Sequence, residues 1–467
     1  MTSGQTMTPR LLDRVRGDAR RAAPVALVHL GLGNFFRAHQ AWYTDHAPDA
    51  ETWGYAAFAG RGADLAGRLQ NQGGLYTLVE RGPHRDRREI IASVSEAHPG
   101  ADHAGWLSSV ASARVAAITV TVTEAGYCRG PDGGLEVSLP DVAADVARLR
   151  GDIRAPVTTA PARLVAGLAA RREADCGPLA LVPCDNVPRN GALAYRVVAD
   201  LAGLVDPTLA EWIEQSMTVV TTVVDRITPR AASADIEAAT ESTGWHDEAP
   251  VVTEPFSEWV LAGEFPAGRP AWEGSGAVFA DDVTAYEHRK LWLLNGAHSL
   301  LAYGGSLLGH HTVAGAIRDD RCRGWVEQWW STAGPHLHQP AGEVAGYRAA
   351  LVERFANPRM HDQLVRIAED GSQKLPIRIV PVLRAERAAG RLPTSATRTL
   401  AAWLCHLRVS GAAVRDVRAV ELVPLAAGRV EDAARNVLDV LDPEVAADRA
   451  VVAMVAEQCR QLEGLAR

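Results

Sequence analysis

The chain has 467 residues, 47% of them hydrophobic and 22% charged, enough for two or more domains, each with its own core. A net charge of −8, with no Lys/Arg tract, argues against a nucleic-acid partner. No apolar run reaches the roughly 18 residues needed to span a bilayer, and the polar, Arg-rich N-terminus lacks the apolar segment of a secretory signal, so a cytoplasmic protein with no membrane role is expected.

In chain order, Val25–Leu30 reads as a buried strand that runs straight into Gly31-Leu32-Gly33. A helix is expected over Phe36–Thr44, a second strand over Gly54–Ala59, and a helix starting at Asp64 with Leu65 and Leu69 on its apolar face. Val115–Thr123 is a near-continuous β-branched run, as for a strand covered on both faces. Leu179–Pro183 is another, ending at Cys184-Asp185-Asn186. Strand and helix in alternation predict a parallel α/β sheet. After about Asp282 helical patterns take over, at 285–309, 342–356, 360–370, 377–390 and 394–408, and the Ala/Arg-rich tail reads as a surface helix. The expected organisation is a Rossmann-type α/β domain over 1–280 and a mainly helical domain over 281–467.

A Gly-x-Gly between strand and helix is where a dinucleotide fold seats its pyrophosphate, because small residues admit the ligand and the helix start offers free N–H groups. Here Phe36 stands at the usual third glycine. Asp64, beyond the second strand, is suited to the adenosine ribose hydroxyls and would repel a 2′-phosphate, favouring NAD over NADP; Arg61 would partly offset that repulsion. The alternative for Asp64 is a carboxylate that interacts only with its helix dipole.

In K-L-W-L-L-N-G-A-H-S (290–299), an α-helix would set Lys290, Asn295 and His298 at about 0°, 140° and 80° around the axis, within one sector. Leu291, Leu293, Leu294, Leu300 and Leu301 would pack that helix. Among apolar neighbours the charged form of a lysine is disfavoured, which suits a general base; an amide can donate to a developing alkoxide. The six cysteines (Cys128, Cys176, Cys184, Cys322, Cys405, Cys459) are dispersed without a C-x-x-C pair and read as reduced thiols. His310-His311 and His336-x-His338 have no carboxylate or cysteine at ligand spacing along the chain, so no metal is expected.

Seven strings in order, G-L-G-N-F-F-R-A-H-Q (31–40), T-V-T-E-A-G-Y (121–127), C-D-N-V-P-R-N-G (184–191), V-V-D-R-I-T-P (223–229), V-T-E-P-F (252–256), K-L-W-L-L-N-G-A-H-S (290–299) and D-G-S-Q-K-L-P (370–376), resemble the mannitol dehydrogenase family of polyol-specific long-chain dehydrogenases. That group also includes fructuronate reductases (mannonate oxidoreductases) and arabinitol dehydrogenases. The resemblance implies zinc-independent, NAD(P)-dependent interconversion of a sugar alcohol and its ketose, at a site between a Rossmann-type and a helical domain. It implies Lys290 as general base, Asn186 and Asn295 as an oxyanion hole, and His298 and Asp225 as orienting groups. Arg366 and Lys374 match positions that contact the substrate chain. Gly31, Gly33, Phe35, Arg37 and Asp64 fall on the cofactor side, with Arg37 expected near the pyrophosphate. Ala125, Ala297 and Phe36 depart from residues common in the family without removing a catalytic group. The favoured substrate pair is mannitol and fructose, with fructuronate or a pentitol as alternatives, and a monomer or homodimer is expected. Outside enzymes, a catalytically silent sugar or nucleotide sensor remains open, although it would have no use for a proton acceptor.

Overall fold

Six strands of the N-terminal half line up in one parallel sheet in the computed structural model, which describes residues 10–14, 19–60, 62–409 and 414–465. They are β1 (Val25–Leu30), β2 (Gly54–Phe58), β3 (Val94–His98), β4 (Ala117–Val120), β5 (Leu179–Pro183) and β6 (Met217–Val219), in the order β3-β2-β1-β4-β5-β6. This is the doubly wound order, with its switch point between β1 and β4. Alternate residues feed two cores. Val28, Phe58, Ile118 and Leu181 face one, while Leu27, Tyr55, Ala57 and Val182 face the other. A strand covered on both faces has no polar side, which is why these segments read as continuous apolar runs.

Two elements of this unit differ from what the sequence suggests. The strand expected over Val115–Thr123 is confined to Ala117–Val120, because Thr121 leaves the ladder and its hydroxyl donates to Gly31 O at 2.9 Å. The helix expected over Phe36–Thr44 is two helices, Asn34–Ala38 and Gln40–Asp45. They break at His39, whose ring bonds the Glu258 carbonyl at 3.0 Å and packs on Phe35 and Trp259. Smaller sheets complete the unit, one pairing Thr221–Asp225 with Glu258–Ala262 antiparallel.

The chain divides into two compact units, Met1–Val283 and Thr284–Arg467. The second is helical. Its helix Arg449–Leu465 packs along Thr394–Val409 and buries Val451, Val455, Cys459 and Leu462, so the tail helix is part of the core and not only surface. The helix expected over 360–370 is the four-residue Leu364–Ile367, preceded by His361 in the left-handed region at φ 53°. Among the described residues no helix is long and apolar enough to cross a membrane.

Candidate active site

The loop after β1 is built by two glycines with different duties. Gly31 has φ 115°, and a Cβ there would overlap the Thr121 carbonyl; the fold itself requires glycine. At Gly33 the nearest atom to a Cβ is Gly31 O at 3.4 Å, so protein does not fill the space beside it at the helix entrance. That unfilled approach, on the C-terminal end of the central strand at the switch point, fits a dinucleotide pyrophosphate. Phe36 turns inward and stacks on His29 with ring centroids 3.6 Å apart, doing by aromatic packing what a third glycine does by close backbone approach. Phe35 is half-buried. Asp64 is exposed at the first position of helix Asp64–Asn71, while Arg61 lies outside the described residues.

Arg37 requires a correction. It is 2% exposed, and its guanidinium donates to Gly33 O at 3.3 Å, to Asn34 Oδ1 at 2.7 Å and to Ala249 O. It holds the loop in shape from beneath and does not stand at the loop's open surface. Burial lowers its pKa, and the loop carbonyls are its compensation.

At the end of β5, Asn186 is exposed on a turn fastened by its neighbours. Asp185 accepts from Val187 N at 3.0 Å and from the Tyr127 hydroxyl, and burial pushes its carboxyl up to about 6. Buried Asn190 donates to Pro183 O at 3.3 Å and Thr222 O at 3.1 Å, and accepts from Thr222 N at 3.0 Å. It ties the turn to the strand that ends in Asp225, which is buried. The Arg226 guanidinium reaches Glu80 at 3.5 Å and Ala38 O at 2.6 Å.

In the C-terminal unit, the segment carrying Lys290 is not the uniform α-helix assumed from its spacing. Thr284–Arg289 is α-helical, Lys290–Asn295 is a π-helix, Gly296–Leu300 returns to α, and Leu301–Gly305 is π again. Gly296 N–H reaches back five residues to Leu291 O. With i→i+5 bonding each residue turns less about the axis, so Asn295 lies closer to the sector of Lys290 than the roughly 140° an α-helix would give. Lys290 is 9% exposed. From Lys290 to Gly305 only Leu291, Asn295 and His298 keep partial exposure, so the open stripe of this rod bears the amide and the imidazole. Leu291, expected in the packing, lies on that stripe. Phe355 lies against the His298 ring at 4.8 Å.

D-G-S-Q-K-L-P forms a strained helix start. Asp370 sits at φ 53°, and a Cβ on Gly371 would strike the Tyr303 hydroxyl and the Trp403 indole. Ser372 donates to Asp416 at 2.6 Å. Lys374 is half-buried and donates to Ile367 O at 3.4 Å and Glu369 O at 2.5 Å, so its ammonium braces the turn that carries Arg366, which is exposed. Arg378, from the same helix, donates to Ser299 at 3.3 Å.

Two side-chain groups escape sequence spacing. His310 has Asp319 at 3.0 Å and Cys322 nearby, and Cys405 lies 3.0 Å from Cys459 with Glu463 beside them. Asp319 is already engaged, by Arg321 at 3.1 Å and by its helix start. Sequence reasoning also missed Tyr127, Asp185 and Asn190, although all three lie inside strings it had singled out. It missed Trp329 and Trp330 altogether, since nothing in their local pattern points to a distant helix.

Comparison with known proteins closes the identification. Residues 25–274 match the mannitol dehydrogenase Rossmann domain and 282–463 the mannitol dehydrogenase C-terminal domain. The chain is 37% identical over 370 residues to the D-mannonate oxidoreductase of Escherichia coli strain K12, covering 77% of this chain and 75% of that one. It is 34% identical to the mannitol 2-dehydrogenase of Cereibacter sphaeroides, covering 82% and 81%. Its fold superposes on Pseudomonas fluorescens mannitol 2-dehydrogenase, solved as a ternary complex with NAD and D-mannitol, with a TM-score of 0.81 and 30% identity over 97% of this chain and 94% of that one. The protein therefore belongs to the mannitol dehydrogenase family and is an oxidoreductase of the kind that acts on polyols and sugar acids.

Proposed function

We propose that the protein interconverts a hexitol and its 2-ketose, of the mannitol and fructose type, with NAD preferred over NADP. The observation that carries this reading is the open stripe of an otherwise buried rod, which bears Asn295 and His298 on the segment that begins at Lys290. Lys290 takes the proton of the reacting hydroxyl. Asn295 and Asn186 donate to the oxygen as it becomes alkoxide and then carbonyl, which stabilises charge without competing for the proton. His298 and Asp225 orient substrate hydroxyls, and Arg366, with Lys374 bracing its turn, meets the substrate chain. NAD, when bound over Gly31 and Gly33 with Asp64 at the ribose, supplies the hydride acceptor.

A second reading is supported by the likeness to D-mannonate oxidoreductase and by Arg378, which extends the cations of the 366–378 segment toward Ser299. Reduction of fructuronate would use these cations on a carboxylate. Oxidation of NADH by the purified protein, run with fructose and fructuronate in parallel and repeated with NADPH, decides between them. Turnover of fructose supports the hexitol reading. Turnover of fructuronate alone replaces it with the uronate reading, and silence with both refutes both.

A further inference from the structure

The π-helical register of Lys290–Asn295 has an identifiable source outside its own segment. In an α-helix, Gly296 N–H would bond Trp292 O. Here it bonds Leu291 O, one residue further back, and the Trp292 carbonyl accepts the indole N–H of Trp329 at 2.7 Å. The next carbonyl, Leu293 O, accepts the indole of Trp330 at 2.9 Å. Both indoles come from helix Asp320–Ala333 and are fully buried. A buried carbonyl left without a donor costs about 1–3 kcal/mol, so the Trp329 indole offsets the penalty at the Trp292 carbonyl that the π turn releases, and the Trp330 indole adds a second tie one residue on. Gly296 makes the approach feasible, since a Cβ there would lie 2.7 Å from Trp329 Nε1. Trp330 also stacks at 6.2 Å on Phe355, the ring that lies against His298.

We propose that Trp329 and Trp330 are positioning residues for catalysis: their indole N–H groups hold the Lys290–Asn295 turn in its π register and thereby set the base, the oxyanion donor and the wall behind His298. The inference rests on the reading of Lys290 as general base. Without the indole donors, Gly296 N–H regains Trp292 O as its better partner, the turn relaxes toward α, and Asn295 rotates further round the axis from Lys290. π-helical turns of this kind are often found at functional sites.

The test replaces each indole by a ring without a donor, Trp329→Phe and Trp330→Phe, singly and together, and follows substrate oxidation across pH. The expected result is a loss of about tenfold to a hundredfold in kcat, the scale of small misplacements of reacting groups. The apparent pKa of the rate profile should move by about half a unit or more, with NADH affinity unchanged. Hydrogen exchange in peptides covering 290–300 should rise. Should the double variant fail to fold, the single variants and Gly296→Ala, which displaces the Trp329 indole without removing it, carry the same expectation. A wild-type kcat and pH profile in the folded variants, beside a dead Lys290→Ala, overturns the positioning role alone. Retained turnover in Lys290→Ala overturns the base assignment and this inference with it.

Discussion

Gly31 and Gly33 look interchangeable in the sequence, and their surroundings make opposite predictions for them. Gly31→Ala must carry a Cβ in a left-handed conformation and against the Thr121 carbonyl. It should cost about 3 kcal/mol or more in stability, read as a fall in denaturation midpoint. Gly33→Ala meets nothing closer than 3.4 Å, so it should fold like the parent and bind NADH several-fold more weakly, because the methyl occupies the pyrophosphate approach. An unchanged NADH affinity in a folded Gly33→Ala would remove this loop from the cofactor site. At this scale the sequence conveys residue types and hides their facing. Arg37 was legible as a cation near the loop, yet its bond to Ala249 O comes from a segment 212 residues away. No local pattern encodes that partner.

Elements read from periodicity hold where one physical rule dominates. Four of the parallel strands, Val25–Leu30, Gly54–Phe58, Ala117–Val120 and Leu179–Pro183, announce themselves as apolar runs, whereas Val94–His98 (V-S-E-A-H) and Met217–Val219 do not, and helix Ala341–Ala356 follows its 3.6-residue pattern. Reading fails where a tertiary partner changes the rule, as at the π turn set by two distant indoles or at the helix broken by His39. Another such tertiary contact predicts a pH effect. Glu386, on helix Val380–Ala388, pairs with Arg391 at 2.5 Å and with His336 at 2.6 Å, and these partners, Arg391 first, hold its carboxyl down to about 2 from 4.5. The folded state therefore binds this proton less readily than the unfolded chain does. The stabilisation is present above about pH 4.5 and is lost as pH falls toward 2. Glu386→Gln should lower stability by about 1 kcal/mol or less at neutral pH and flatten the acid limb of the thermal denaturation curve. An acid limb identical to the parent's would mean that this contact does not anchor the Gly334–His336 turn.

Across the whole molecule, the residues assigned to the cofactor all belong to the unit ending at Val283, and the proposed base and Asn295 belong to the unit beginning at Thr284. Binding and chemistry should therefore separate by mutation. Asp64 is exposed at a helix start, so Asp64→Ala should fold normally, weaken NADH binding and relax discrimination against NADPH, where no carboxylate is left to repel a 2′-phosphate. Lys290→Ala should do the reverse, keeping NADH affinity while turnover falls by about 10² to 10⁴, the usual contribution of a positioned base. Fluorescence titration of NADH beside steady-state rates for both variants reads the two effects independently. If Lys290→Ala loses NADH binding and turnover together, the lysine serves the fold or the cofactor and the proton acceptor must be sought elsewhere. If Asp64→Ala keeps its preference for NAD, discrimination rests on other residues of the N-terminal unit. The expected crossed pattern, each variant losing what the other keeps, would tie both assignments to one reaction, because neither a silent sensor nor a purely structural lysine predicts that a protein able to bind its dinucleotide loses only the transfer.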